Sequence, residues 1–160
     1  MSMFRLLCLL LVAAGLSACG DDRLAKDCLQ HRDPKRQAAA CTEVIAANPK
    51  SAEAYNNRCF AHNELQQYDK SIIDCNASIK LNGRNASAFN NRGVAYELTG
   101  EFDKALTDYT KAVTLDPQFA TAYANRGDVY AKTNNRDKAI AEYRRALSIE
   151  PGNDIAVSGL

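Results

Sequence analysis

From Ala52 onward the sequence repeats itself every 34 residues, and this internal period constrains the fold more tightly than any other feature. The rows 52–85, 86–119 and 120–153 align without gaps. Tyr55, Phe89 and Tyr123 share a column, as do Asn57, Asn91 and Asn125, and next to them Arg58, Arg92 and Arg126. In the second half of each row, Asp69-Lys70 lines up with Asp103-Lys104 and Asp137-Lys138, and Cys75 with Tyr109 and Tyr143. A period of this length marks stacked helical hairpins, each too small to bury its apolar face without a neighbour. Phe89, Tyr96, Ala105, Tyr109 and Ala112 fall on the stripes of two helices joined by a short turn near Gly100. Gly93 and Gly127 permit a close helix approach, and Pro117 and Pro151 end the second helices because the residue before proline avoids helical geometry.

The strings Ala88-Phe89-Asn90-Asn91-Arg92-Gly93-Val94-Ala95-Tyr96 and Ala105-Leu106 through Asp116-Pro117 closely resemble the tetratricopeptide-repeat family. The resemblance covers residues 52–153 and implies an all-α, right-handed α-solenoid of antiparallel helix hairpins. Residues 27–51 read as a degenerate hairpin of the same kind, with Cys41, Ile45 and Pro49 one period before Cys75, Ile79 and Gly83. A short helix near 24–31, a turn at Asp33-Pro34 and a second helix over 36–47 are expected there. Residues 154–160 read as a C-terminal tail, too short for the polar capping helix such arrays need. The last hairpin is then expected to expose an apolar face, which would open a route to self-association.

Residues 1–18 have the form of an export signal: Arg5 is the one charge, and Leu6 to Val12 form an apolar run too short to span a bilayer. The run ends in Leu16-Ser17-Ala18-Cys19, which resembles the lipobox of bacterial lipoproteins. That resemblance implies that Cys19 is acylated and becomes the lipid anchor, with 19–26 as a tether. The alternative, ordinary secretory cleavage, would place bulky Leu16 where small residues are required. The expected location is the bacterial cell envelope, facing the periplasm. Gly20 after the cysteine favours the outer membrane slightly over the inner. Lys and Arg total 20 against 19 Asp and Glu, and the leader removes Arg5. A chain so balanced is not built for nucleic acid.

Beyond the leader and anchor, four cysteines remain: Cys28, Cys41, Cys59 and Cys75. In an oxidising compartment an even number fits two disulfides, and three pairings are open. In a hairpin centred near Gln67, Cys59 faces Cys75, and Cys28 and Cys41 straddle Pro34 similarly, so these are the expected pairs. The competing reading makes each cysteine a small buried residue, since Cys59 stands in the column of Gly93 and Cys75 in that of Tyr109. His31 and His62 accompany them without any zinc spacing, so neither metal nor cofactor is expected. His62 shares a column with Tyr96 and Tyr130 and is expected in the core. No nucleophile, base and oxyanion set can be assembled, and the chain is not expected to be an enzyme.

The arginine column requires partners if it lies on a packing face, and Asp74, Asp108 and Glu142 follow sixteen residues later. The asparagine column has no helix-forming advantage. In superhelical members of the family it forms a ladder along the inner groove, which implies that Asn57, Asn91 and Asn125 hold the backbone of a bound peptide. Equally, these amides could tie one repeat to the next. The family pattern adds Asn56, Phe60, Asn90, Val94, Glu97 and Asp128 as peptide-binding positions, with Glu53, Asn63, Glu64, Leu98 and Lys132 also facing inward. Four acids would then face one base. At Asn56, Phe60 and Asp128 the sequence departs from the clamp by which some family members hold a terminal carboxylate. The expected role is a membrane-anchored scaffold for partner proteins or peptides, with a self-assembling structural component as the alternative.

Overall fold

Residues 23–30 and 33–160 are described in the computed structural model, and among them every regular element is a helix. The export signal, Cys19 and His31 lie outside the described residues. Residues 23–29 form α1. There follow α2 Pro34–Ala47, α3 Ala52–Glu64, α4 Tyr68–Leu81, α5 Ala86–Leu98, α6 Phe102–Leu115, α7 Ala120–Lys132, α8 Arg136–Ile149 and α9 Asp154–Gly159. Antiparallel pairs stack into an α-solenoid whose hairpins begin at the predicted row boundaries.

Local chemistry explains the boundaries. Ser51 and Asn85 accept hydrogen bonds from the backbone N–H groups of Ala54 and Ala88, capping α3 and α5 at equivalent positions. Asp33 caps α2, and Pro34 occupies its first turn, where a missing N–H costs nothing. Inside the α3–α4, α5–α6 and α7–α8 hairpins the chain reverses through a left-handed residue: Gln66 at φ 57°, Gly100 at φ 80° and Asn134 at φ 62°. Only one of these three is glycine, and asparagine is the next most tolerant of this conformation.

The helix pairs are closely packed because glycine faces tyrosine. A Cβ on Gly93 would lie 2.7 Å from the Tyr109 ring, and one on Gly127 would lie 2.7 Å from Tyr143. Both rings are buried in the hairpin core. In the first full repeat the same two columns hold Cys59 and Cys75, joined in a disulfide. Cys28 and Cys41 form the second disulfide and bolt α1 to α2. Gln37 on α2 adds a hydrogen bond from Nε2 to the Cys28 carbonyl at 3.1 Å.

Two boundary expectations require correction. Residues 23–26, assigned to the tether, are already helical, because Leu24 packs onto the cluster around Cys28 and Cys41. Residues 154–160 are not a plain tail, since α9 forms over six of them. Asn153 caps it through the Ala156 N–H, and Ala156 is buried with Ala124 and Tyr143. These residues stand one period after the start of α7 and begin a further first helix, so the edge expected to be bare is partly covered. Val157 and Leu160 remain exposed on its outer side.

The disulfides close loops with sequence separations of 13 and 16. Each should contribute about 3 kcal/mol by restricting the unfolded chain. Reduction is therefore expected to lower the thermal midpoint strongly, and Cys59→Ala/Cys75→Ala to reproduce about half the loss; an unchanged melt under reductant would show that the bridges carry no stability.

Candidate functional site

α3 touches α5 and α5 touches α7, whereas the second helices α4, α6 and α8 do not meet one another. The first helices therefore line the inner curve of the stack, and the second helices form its outer surface. Asn56, Asn57 and Phe60 lie on α3, Asn90, Asn91, Val94, Glu97 and Leu98 on α5, and Asn125, Asp128 and Lys132 on α7. The residues expected on one face are thus on the three inner helices.

The arginine column holds this face in register. Arg58 donates from Nε and Nη2 to both carboxylate oxygens of Asp74, at 2.8 and 2.7 Å, and Arg92 does the same to Asp108, both at 2.7 Å. The third nitrogen reaches back to the preceding hairpin, from Arg58 to Thr42, from Arg92 to Asn76 and from Arg126 to Thr110. Each guanidinium also lies over an aromatic ring one turn earlier, Tyr55, Phe89 or Tyr123. The acceptor column of Thr42, Asn76 and Thr110 was not singled out from the sequence, although its 34-residue spacing and its offset of sixteen from the arginines signal it. Glu142 is one methylene longer than aspartate. Arg126 meets both its oxygens through Nη2 alone, at 2.8 Å, and its buried Nε has no partner among the described residues.

The asparagines join successive repeats. Asn91 donates to Asn56 Oδ1 and Asn125 to Asn90 Oδ1, both at 3.1 Å, and Asn63 donates to the backbone carbonyl of Asn91 at 2.7 Å. One amide atom of each column member stays uncommitted among the described residues: Nδ2 of Asn57 and Oδ1 of Asn91 and Asn125. Asn63 is buried, and its Oδ1 has no partner among the described residues because its repeat has Cys75 where the others have a tyrosine hydroxyl.

The acids are distributed differently from the expectation of four facing one base. The Tyr109 hydroxyl donates to Glu97 at 2.6 Å, and Lys132 reaches the other oxygen of Glu97 at 2.6 Å. The Tyr143 hydroxyl donates to Asp128 at 2.6 Å. Burial, reinforced by these carboxylates, pushes both phenols well above their ordinary range, so they remain donors. Glu97 and Asp128 are therefore internally engaged. Glu53 and Glu64 are exposed and belong to no ion pair among the described residues. Of the four acids Glu97 alone is paired with a cation, Lys132, and Glu53, Glu64 and Asp128 belong to no ion pair among the described residues.

His62 packs where the next repeats carry Tyr96 and Tyr130. Its Nε2 lies 3.6 Å from Asp74, and its buried Nδ1 has no hydrogen-bond partner among the described residues. Among the described residues no cluster of side chains could hold a metal ion, and no helix is long and apolar enough to cross a membrane.

Residues 86–119 and 120–153 each match the family model described as tetratricopeptide repeat. The Arabidopsis OM64 TPR domain is similar in structure at TM-score 0.66 and 31% identity, over 69% of this chain and 91% of that one. A crystal structure of MamA protein gives TM-score 0.71 at 27% identity, over 85% and 77% of the two chains. The first TPR of Spaghetti, bound to an HSP90 peptide, gives 0.65 at 25% identity over 68% and 86%. No curated protein matches the sequence.

Burial pushes the His62 imidazole below its ordinary value; Arg58 and Lys70 add to this, and Asp74 opposes it. The unfolded chain then takes up the proton first as pH falls below about 6.5, and native stability declines until pH passes the lower folded value. His62→Tyr, which introduces the residue of the neighbouring repeats, should flatten the urea midpoint between pH 7 and 5. An identical slope in wild type and variant would assign the dependence elsewhere.

Proposed function

The chain belongs to the tetratricopeptide-repeat family, and from that premise we propose that it serves as an adaptor of the bacterial cell envelope. It is tethered by lipid on Cys19, faces the periplasm and holds an extended segment of another protein against the inner face of α3, α5 and α7. Its work is binding rather than catalysis. The observation that carries this reading is the row of uncommitted amide atoms on Asn57, Asn91 and Asn125, set beside the partly exposed Phe60, Val94 and Leu98. An extended backbone has unpaired N–H and C=O groups that such amides can meet in any sequence, and the apolar side chains supply the burial.

The first TPR of Spaghetti is a domain of the same repeat bound to an HSP90 peptide, which supports a peptide as the occupant. An acidic terminus of that kind suits this chain poorly, since Glu53, Glu64 and Asp128, in no ion pair among the described residues, would oppose it. A partner with basic and apolar residues fits better, with the acids acting mainly on association rate and weakening in salt.

Two experiments test the reading. Cross-linking in intact cells, followed by detergent extraction, should join the full chain to specific envelope partners; Leu98→Lys on the inner face should abolish the adduct, and Ile73→Lys on the exposed outer face should leave it. The reverse pattern would move the binding surface to the second helices. Cys19→Ser should release the protein from membranes or leave its precursor uncleaved, and normal processing with full membrane retention would remove the anchor.

A further inference from the structure

At the beginning of the inner face, α1, α2 and α3 enclose a cavity of ≈ 200 Å³ open to solvent. Leu29, Val44 and Ala54 form apolar walls, and Cys28 stands at its back. Glu53 and Asn57 complete the lining on the α3 side. Through Cys28, α1 packs into one buried cluster with α2 and with Ala54 of α3. The Cys28–Cys41 disulfide and the Arg36–Asp27 ion pair at 2.8 Å fix α1 to α2, so Leu29 is left half exposed, at 51%.

Charge orients what would enter. Farther along the inner face Glu97 and Asp128 are engaged by Lys132, Tyr109 and Tyr143. At this end Glu53 is exposed and outside every ion pair among the described residues, and none of the described residues that line the cavity is a cation. Asn57, whose Nδ2 is uncommitted, stands at the junction of cavity and amide row. A carboxylate beside an apolar hole and a backbone-binding amide is complementary to one kind of chain segment.

We infer that this cavity is an anchor site for a leucine- or phenylalanine-sized side chain of an extended partner segment, immediately next to a lysine or arginine that pairs with Glu53. The inference rests on the adaptor reading and adds to it where the segment is fixed and by which residues. The anchor buries apolar area without ordering any new part of the chain, because the disulfide has already fixed the walls. The cation is recognised at a partly exposed site, so it tunes preference more than affinity.

The probe is an array of short peptides on a Gly/Ser background, with one position varied among Leu, Phe and Ala and its neighbour among Lys, Ala and Glu. It is incubated with the oxidised full chain in detergent. The Leu-Lys and Phe-Lys peptides should bind best. Leu29→Gln, an exposed change that the fold tolerates, should weaken them about tenfold, roughly the worth of one buried aliphatic side chain. Glu53→Lys should turn the preference from Lys to Glu. If neither variant alters affinity or preference while Leu98→Lys abolishes binding, the inner face stands and the anchor site falls. If peptides bind and none of the three changes matters, or if no peptide binds, both readings fall.

Discussion

Each arginine of the 34-residue column joins three helices, and the rest of the structure depends on that junction. Its guanidinium is fixed to the second helix of its own hairpin by a carboxylate and to the second helix of the preceding hairpin by Thr42, Asn76 or Thr110. A paired, hydrogen-bonded charge tolerates burial, whereas a charge stripped of its partner costs about 3–5 kcal/mol. Slippage of one hairpin past the next would leave that carboxylate in place and break the bond to Thr42, Asn76 or Thr110, leaving a guanidinium N–H group unpaired at the seam. The register of the stack follows, and with it the alignment of Asn57, Asn91 and Asn125 along one inner face.

Where the arginine is missing, covalent chemistry takes its place. One period before Arg58 stands Leu24, which packs in the first cluster and can bind no carboxylate. The Cys28–Cys41 disulfide holds that hairpin instead. In the next repeat the glycine and tyrosine that allow close approach elsewhere are both replaced by cysteine, and the Cys59–Cys75 bond spans the same interface. One side effect is visible at Asn63, whose Oδ1 lacks the hydroxyl that Tyr109 gives Glu97. The stack thus begins with two disulfide-braced hairpins and continues with two held by Gly–Tyr packing.

Much of this was legible in the sequence because period and chemistry coincide. The row boundaries, the close approach at Gly93 and Gly127, the acceptors Asp74, Asp108 and Glu142 and the cysteine pairs all follow from columns that recur at one spacing. What was not legible depended on contacts between different columns. The hydroxyls of Tyr109 and Tyr143 pass over a glycine to reach Glu97 and Asp128, and no spacing rule announces that an inward-facing acid is already engaged. Likewise, the double duty of the asparagines appears only when the preceding asparagine, Asn56 or Asn90, is seen to accept from the next repeat. The short α9 was missed because six residues look too few for a helix until Asn153 caps them and Ala156 finds a buried seat.

The inner face combines an arginine-fixed register, amides that spend one group on the fold and keep another, and an apolar row flanked by acids on α3. The proposed role has a directional consequence: a partner segment should meet the first helices and not the second. Amide chemical-shift mapping with a bound partner segment tests this most directly. Perturbations are expected at Asn57, Phe60, Asn91, Val94, Leu98 and Asn125 with none at Ile73, Asn76 and Lys80, whereas shifts confined to those outer residues would place the partner on the second helices.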